Sequence, residues 1–375
     1  MAPRRTTAKT ADEIREAREA KLTELSGRLE GAVGRLVSGE DWAAAIRFAT
    51  RFRSRSFANT LLIFAQHQDA YEQGRVSEPF PSYVAGFKQW RTLGRQVTKG
   101  QTGYMIYAPV TARFATTNPA DAESWRRLDR GEKARPGEVV RSKMVGVKPA
   151  YVWDVSQTSG EPVPERPRPV LLAGEAPAGL WEGLAAQVRE RGFTLADAPD
   201  APDAAALDGA NGVTDFGART VQVRADMDDA ARVKTLAHEL AHIELGHEDR
   251  RPDGLHRGIG EVEAESVALM VCASFGLDST DYTIPYVAGW SSQVTGSSPM
   301  EVIRATGERA RMTSLAILDE LPEAPVGDGD PPGLDRATSA ERPRERSGAK
   351  RAAPVTARPA AGPVEVREPA AVVGW

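Results

Sequence analysis

The stretch that most constrains this chain is residues 235–247, which read TLAHELAHIELGH. It contains the pattern His-Glu-x-x-His at His238, Glu239 and His242. Residues four positions apart lie on one face of a helix, so both imidazoles point the same way and can fill two sites of a tetrahedral zinc ion. Glu239 lies beside them, where a carboxylate can take a proton from metal-bound water. The stretch therefore predicts a helix that carries a metal centre.

The residues around this stretch are those of an amphipathic helix. Three aspartates upstream offer an N-cap and negative charge for the first turn, and Gly246 is a natural C-cap. Apolar residues of helical period lie roughly opposite the histidines. One face can thus hold a metal while the other packs against a core. The aspartates are Asp226, Asp228 and Asp229, and the apolar residues are Val233, Leu236, Leu240 and Ile243.

A zinc site of this kind needs a third protein ligand. The metzincin pattern would place glycine and histidine where this chain has Leu245 and Glu248, so that class does not fit. The other route is a glutamate from a second helix. Residues 261–276 have the composition of such a helix, which follows a loop of Gly, Pro, Asp and Arg and ends at Gly276.

Three glutamates open this second helix, and their spacing separates their roles. Glu261 and Glu265 share a face, whereas Glu263 is turned by roughly 200° from Glu261. A metal ligand is usually accompanied by a carboxylate that accepts a hydrogen bond from a histidine Nδ1–H. We expect Glu261 to bind the metal and Glu265 to hold a histidine, although the reverse assignment is open. His247, just after Gly246, is expected to be a polar group at the helix end, and the alternative is a fourth nitrogen near the metal.

Residues 235–290 resemble the gluzincin-type metallopeptidase domain of the ImmA/IrrE family and, more closely, the C-terminal half of ArdC-type antirestriction proteins. Residues 286–290 are similar to the Tyr-hydrophobic-Ala-small-Trp segment that follows the third ligand in those proteins. The resemblance implies a zincin-like domain with Zn²⁺ as cofactor. Tyr286 is a candidate to stabilise an oxyanion, and an equally good candidate for a core residue.

Two runs of the N-terminal half contain no acidic side chain, one between Asp41 and Asp69 and one between Glu78 and Asp121. Both runs carry basic and aromatic residues, in a chain whose formal net charge is −4. Basic side chains neutralise phosphates, and aromatic rings stack on unpaired bases. On composition alone, however, such aromatics are more often core residues and such a basic run is more often a solvated face.

The same runs are similar to the N-terminal signature of ArdC proteins, which binds single-stranded DNA in that family. The resemblance implies single-stranded DNA as a partner, with basic residues at the phosphates and one stacking tryptophan. A charged insertion at residues 112–143 departs from the family pattern, as do extra residues at 68–82. The similar segments are residues 57–63, 84–100, 106–109 and 154–158. The phosphate candidates are Arg53, Arg55, Lys88, Arg91, Arg95 and Lys99, and the stacking candidate is Trp90.

The order of elements predicts an α+β fold: N-terminal helices with a small antiparallel sheet, then a zincin-like domain, then a disordered tail. A hairpin at residues 212–224 would place a sheet edge near the metal helix, where an extended peptide can bind. The predicted boundaries are 10–160 for the ArdC-like domain, 161–178 for a Pro-rich linker, 179–320 for the zincin-like domain and 321–375 for the tail.

The cysteine content and the longest apolar run indicate the cellular compartment of the protein. Its single cysteine, Cys272, excludes a disulfide framework, is expected in the core and fits a reducing, cytoplasmic location. No run reaches the 18 apolar residues of a membrane span, so we expect no membrane partner.

Two functions remain from the sequence. In the first, single-stranded DNA binding and protection of incoming DNA from restriction are the function, and the zinc site is structural or vestigial. In the second, the protein is an intracellular zinc peptidase that cleaves a protein or peptide substrate, and its N-terminal domain is a targeting module. Glu239 favours the second function, because a structural zinc site needs no base.

Overall fold

The computed structural model describes residues 10–163, 174–196, 207, 209–248, 257–277, 290–292, 296–322, 324–332 and 334. These residues have the predicted α+β organisation, with helices and small, mostly antiparallel sheets. The helices are α1 (Ala11–Gly34), α2 (Gly39–Arg51), α3 (Phe57–Glu72), α4 (Phe87–Thr92), α5 (Leu180–Glu190), α6 (Asp229–Glu244), α7 (Arg257–Ser274) and α8 (Pro299–Asp319). The strands are β1 (Val84–Gly86), β2 (Arg95–Val97), β3 (Tyr104–Thr116), β4 (Arg126–Arg127), β5 (Val139–Asp154), β6 (Thr158–Gly160), β7 (Thr194–Leu195), β8 (Gly212–Asp215) and β9 (Thr220–Val223).

The long helices begin where side chains satisfy their first backbone N–H groups. Thr10, Ser38 and Ser298 form capping boxes at the starts of α1, α2 and α8. Asp228 caps α6 and accepts a hydrogen bond from the backbone N–H of Ala231 at 2.7 Å. Each such cap stabilises its helix by about 1 kcal/mol. The aspartates upstream of the histidine motif thus supply the predicted start of α6.

The strands form three small sheets. The first has the order β1-β5-β3-β4, so β3 and β5 are neighbours in the small N-terminal sheet that the sequence predicts. The second pairs β2 with β6. In the third, β9 lies between β7 and β8, and the register pairs Gly212 with Val223 in the predicted hairpin. Strand β8 is therefore an edge strand.

The described residues form two compact units. The larger contains those up to Ala108 and those from Lys148 to Leu334, and the smaller is Pro109–Val147. Helix α7 is the centre of the larger unit, because its two sides belong to two apolar cores. One side packs with α1, α2 and α3, and the other packs with α5, α6 and β9. Cys272 is buried in the second core, as expected.

A tryptophan of α2 joins the N-terminal helices to α7. Trp42 is fully buried and donates its indole N–H to Ser266 Oγ at 2.9 Å. Its ring contacts Trp290 edge-on at 5.3 Å and lies 5.6 Å from the ring of Phe57. Residues on both sides of the predicted linker at 161–178 therefore share one core, which composition could not reveal. The predicted domain boundaries themselves stay a prediction.

The predicted tail begins with an ordered segment. The carbonyl groups of Gly327, Asp328 and Gly329 accept hydrogen bonds from the Arg53 side chain, the Ser54 hydroxyl and the Val84 N–H. Within the predicted tail, residues 324–332 are thus held by backbone groups rather than by apolar side chains, and the predicted start of the tail at residue 321 stays a prediction. Residues after 334 lie outside the described residues.

Among the helices that the structure describes, none combines the length and the hydropathy needed to cross a membrane.

Candidate metal centre

Helix α6 presents its two histidines away from the core. Val233, Leu236 and Leu240 are buried in the core that α6 shares with α5 and α7, as the apolar period predicts. His238 and His242 lie on another face, with side chains 18% and 12% exposed. The helix ends near Gly246, whose φ of 61° is the left-handed conformation that favours glycine at this position.

Three candidate ligand atoms converge between α6 and α7. The Nε2 atoms of His238 and His242 are 3.1 Å apart, and Glu261 Oε2 lies 3.4 Å and 3.6 Å from them. Zinc bonds to imidazole of about 2.0–2.1 Å in a tetrahedron require ligand atoms about 3.3–3.4 Å apart. The three atoms therefore lie at distances that suit one divalent ion bound to all of them, with a fourth position left for water or substrate.

Glu265 contacts the other nitrogen of His238. His238 Nδ1 lies 3.0 Å from Glu265 Oε2, and the other oxygen of Glu265 lies 3.2 Å from Lys234 Nζ. A hydrogen bond from Nδ1–H to this carboxylate selects the tautomer whose Nε2 lone pair faces Glu261. The geometry thus places Glu261 with the histidine Nε2 atoms and Glu265 behind His238.

The carboxylates control the charge of His238 in the metal-free protein. Burial by itself lowers the pKa of His238, but hydrogen bonds to Glu261 and Glu265 outweigh burial and raise that pKa to about 10. Burial likewise raises the pKa of Glu261, but its bonds to His238 and His242 shift that pKa well below the usual range. A proton therefore lies among the three ligands at neutral pH and must leave when a cation binds.

A buried chain of polar groups, which sequence reasoning missed, supports His242. The backbone reverses after Gly246 and brings His247 Nδ1 to 2.7 Å from His242 Nδ1. His247 Nε2 lies 3.1 Å from Glu263 Oε2, and Glu263 is fully buried and also bound by Arg309 of α8. His242 can donate Nδ1–H to His247, which donates Nε2–H to Glu263, so this chain leaves His242 Nε2 as an acceptor.

This chain adds to what the sequence predicts. His247 follows the end of the helix as expected, and it is buried and bonded on both ring nitrogens. Glu263 is turned away from the metal as predicted, and it binds Arg309. A signal was present in the sequence: on a helix, Glu263 shares a face with the apolar residues Ile259 and Val267, where a carboxylate needs a buried partner.

Strand β8 positions Glu239. Thr214 donates its hydroxyl to Glu239 Oε2 at 2.6 Å, and Glu239 is 6% exposed. A side chain at Gly212 would place its Cβ 2.5 Å from Thr235 Cγ2 and 3.0 Å from Glu239 Oε1. Glycine at this position therefore leaves space beside Oε1, the second carboxylate oxygen. Neither Thr214 nor Gly212 was identified from the sequence, because their approach to Glu239 depends on how β8 packs on α6.

The structure removes some of the predicted DNA-binding residues from consideration. Trp90 is fully buried and donates its indole N–H to the Trp153 carbonyl at 2.9 Å, so the prediction that it stacks on bases is wrong. Arg55 donates to the Val84 carbonyl at 2.7 Å and to Asp330 at 2.9 Å, and burial lowers its pKa. The local sequence around Trp90 and Arg55 is typical of a basic surface, but tertiary packing places both side chains in the interior.

Two more arginines have intramolecular hydrogen-bonding partners. Arg53 donates to the carbonyls of Thr50 and Gly327. Arg95 donates to Thr158 Oγ1 at 2.9 Å and to the Thr158 carbonyl at 3.0 Å, and thereby ties β2 to β6. Both side chains have structural roles here, which disfavours them as phosphate ligands.

The other three basic candidates are exposed. Lys88 and Arg91 lie on α4, and Lys99 follows β2. Phe87, at the start of α4, is 48% exposed and contacts the Trp153 ring edge-on at 6.0 Å. The exposed aromatic group on this helix is thus Phe87 rather than Trp90. Tyr286 lies outside the described residues.

Comparison with known proteins identifies relatives of the N-terminal part. Residues 17–153 match the family described as the N-terminal domain of anti-restriction factor ArdC. An uncharacterized protein of Bacillus anthracis is 23% identical over 269 residues, which are 68% of this chain and 44% of that protein. The chain therefore spans less than half the length of this relative.

Two solved structures are also similar. The metal-free crystal structure of the antirestriction ArdC protein from the R388 plasmid aligns at 18% identity with a TM-score of 0.43, covering 70% of this chain and 84% of that one. Its Mn(II)-bound crystal structure aligns at 19% identity with a TM-score of 0.40, covering 70% and 87%.

Proposed function

We propose that this chain, whose residues 17–153 match the N-terminal domain of anti-restriction factor ArdC, is a metal-dependent peptidase that also binds single-stranded DNA. In the cell, these two activities would serve antirestriction, which is the protection of incoming DNA. The peptidase part of the proposal rests on one observation: His238, His242 and Glu261 converge beside Glu239.

The donor set favours a catalytic over a structural metal site. Three protein ligands leave one position open, whereas structural zinc sites are usually closed by four. Glu239 has no hydrogen bond to either histidine in the described structure and is held instead by Thr214. A closed structural site would not need a buried carboxylate in this position. Two imidazoles and one carboxylate suit Zn²⁺, and related donor sets also hold Mn²⁺ or Fe²⁺, so the test below includes Mn²⁺.

The residues of the chain have separable tasks in hydrolysis. A bound divalent cation would supply the acidity that makes water nucleophilic and would polarise the peptide carbonyl. Glu239 accepts the proton of the attacking water and passes it to the leaving amine. Thr214 occupies Oε2 of Glu239, which leaves Oε1, the oxygen that faces Gly212, to accept that proton. Thr214 is thus a positioning residue.

The sheet edge beside Glu239 suits an extended peptide substrate. Strand β8 pairs with β9 on one side and is the end strand of its sheet. A peptide that pairs with the other edge would run past Thr214 and place a carbonyl near the cluster of ligand atoms. This placement favours a protein or peptide substrate over a small molecule.

The peptidase proposal is tested by cleavage of fluorescently labelled casein with protein reloaded with Zn²⁺ or Mn²⁺. We expect Glu239→Gln to keep one metal ion per chain and to lose activity by about 10²–10⁴-fold, because it removes a general base. Glu248→Gln, an exposed glutamate past the helix end, is the matched control and should cleave normally. Equal activity of Glu239→Gln and wild type would refute the proposed mechanism.

The DNA-binding part of the proposal is supported by exposed basic and aromatic side chains on and near α4. Lys88, Arg91 and Lys99 can neutralise phosphates, and Phe87 can stack on a base. Each lost phosphate contact should lower the salt dependence of single-strand binding by about 0.7 in slope. We expect Lys88→Ala/Arg91→Ala to lose about 1.4 of that slope, and an unchanged slope would exclude this surface. The control is Arg15→Ala/Arg304→Ala, which removes two exposed cations from other helices.

A further inference from the structure

The smaller unit, Pro109–Val147, contains the charged insertion that the sequence analysis expects at residues 112–143, and no function has been attached to it above. It contains the outer parts of β3 and β5 together with β4. Basic side chains outnumber acidic ones in this segment, although the whole chain is slightly acidic. The distribution of these charges between the two faces of the sheet is uneven.

One face collects aromatic rings and cations. The register pairs Phe114 of β3 with Arg127 of β4, and directly opposed residues point to the same face. Lys143 of β5 lies over the Phe114 ring, with Nζ 5.8 Å from its centroid. Lys143 and Arg141 also lie over Trp125, at 5.4 Å and 5.2 Å from its centroid. We call Phe114, Trp125, Arg127, Arg141 and Lys143 the arm cluster.

The adjacent residue of β4 shows the opposite arrangement. Arg126 points to the other face, because successive side chains of a strand alternate. It binds Glu132 at 2.6 Å and Glu138 at 2.8 Å, and Glu138 has a side chain only 6% exposed. These two carboxylates are therefore held by Arg126. The three cations of the arm cluster contact aromatic rings or solvent.

The arm cluster is accessible. Arg127, Arg141 and Lys143 are exposed, and the rings of Phe114 and Trp125 are half-buried. A cation above a ring is a weak contact of about 0.5–1 kcal/mol at an exposed site. A flat ligand can therefore displace one cation from Trp125 at little cost, and the displaced cation then meets an adjacent negative charge.

These features fit a strand of nucleic acid with unpaired bases. Its bases can stack on Trp125 and Phe114, and its phosphates can meet the three cations, which is how sequence-tolerant single-strand binding works. A duplex would offer the phosphates but not the faces of its bases. A membrane surface fits less well, because Met144, which is 67% exposed, alternates with Arg141 and Lys143 and so points to the other face.

We propose that the arm cluster is a binding surface for single-stranded DNA, in addition to the surface at α4. This inference rests on the proposed single-strand binding of the protein and names a further surface that serves it. A base stacks on Trp125, and Arg127, Arg141 and Lys143 contact the flanking phosphates.

The test compares variants of the full chain in binding to a fluorescent thymidine oligonucleotide across a salt series. Arg141→Ala/Lys143→Ala should lower the salt slope by about 1.4, since two phosphate contacts disappear. Trp125→Leu should weaken binding about 5- to 100-fold at constant slope, because it removes stacking but no charge. The control Arg15→Ala/Arg304→Ala should leave both affinity and slope unchanged, and circular dichroism with thermal unfolding reports that each variant is folded.

The outcomes separate this inference from the function on which it rests. No binding by wild type at low salt would refute single-strand binding altogether. Wild-type binding that is lost in Lys88→Ala/Arg91→Ala but unchanged in both arm variants would refute the arm cluster alone. An arm-dependent affinity that is stronger for oligoribonucleotide or for anionic vesicles would also overturn the proposal, because the occupant would then be another one.

Discussion

The metal centre and the arm cluster differ in what holds their side chains in place. Around the metal centre, His238 and His242 are bonded through Nδ1 to Glu265 and His247, and these partners are bonded in turn. In the arm cluster, the cations rest on aromatic rings and face solvent. The candidate metal centre therefore has its side-chain geometry before any ligand binds, whereas the arm cluster would acquire a fixed geometry only with the proposed partner. Substitutions behind the metal ligands should consequently have large and specific effects.

The largest expected effect is on zinc binding, and it distinguishes the role of Glu261 from that of Glu265. Glu261→Gln should abolish stoichiometric zinc binding, because it removes one of three ligands. Glu265→Gln should weaken zinc about 10- to 100-fold, as expected for a partner that orients a ligand. Metal titration of the metal-free proteins with a chromophoric chelator measures both. The opposite order of the two effects would move the third ligand to Glu265.

The next effect concerns the buried chain behind His242. Arg309→Met leaves the fully buried Glu263 without its arginine partner. We expect a loss of about 3 kcal/mol in the free energy of unfolding. This value is the lower end of the range for breaking a buried ion pair, because Arg309 is part-exposed. Zinc affinity should fall about 10- to 100-fold in the same variant. Urea unfolding and metal titration are the two measurements.

The matched control for this prediction is Arg304→Met, an exposed arginine of the same helix. It should change stability by no more than about 0.5 kcal/mol. A normal zinc affinity in Arg309→Met would show that the chain through His247 does not orient His242.

Zinc affinity should depend on pH in a defined direction. His238 carries a proton in the metal-free protein below its pKa of about 10, and a metal requires the neutral ring. One proton therefore leaves per ion at neutral pH, and affinity should rise about tenfold for each unit of rising pH between 6 and 8. Calorimetry in two buffers of different ionisation enthalpy counts this proton. Release of no proton would contradict the charge assigned to His238.

The smallest effect tests the core that joins the N-terminal helices to α7. Ser266→Ala removes the acceptor of the Trp42 indole N–H and should cost about 1–3 kcal/mol of stability, the cost of an unsatisfied buried donor. Unfolding should remain a single transition by tryptophan fluorescence and by metal release. Two separated transitions would show that the halves unfold independently.

The predictable part of the site was the part set by local helix geometry. Spacing alone placed His238 with His242 and Glu261 with Glu265, because residues four apart share a helix face. Helix α6 begins where the aspartates predict it, whereas α7 begins at Arg257, four residues before the predicted start at Glu261. The roles of the two glutamates followed from chemistry rather than from spacing, and they stay a prediction until metal binding is measured.

The missed part was set by tertiary packing. His247 comes back to His242 only because Gly246 adopts a left-handed conformation, and Thr214 reaches Glu239 only because β8 packs on α6. Trp90 and Arg55 were wrong as DNA contacts for the same reason, since a basic and aromatic run does not show which side chains turn inward. Local composition identified the segment that carries charge, and packing decided which of its charges are accessible.

The most direct test of the metal centre is X-ray absorption at the zinc edge of protein reloaded with one equivalent of Zn²⁺. We predict two imidazole nitrogens at about 2.0–2.1 Å and two oxygens at about 2.0–2.2 Å, one from Glu261 and one from water. The imidazole signal should halve in His242→Ala, and the remaining zinc should bind weakly. A third imidazole or a set of oxygens alone would contradict a hydrolytic centre built from His238, His242 and Glu261.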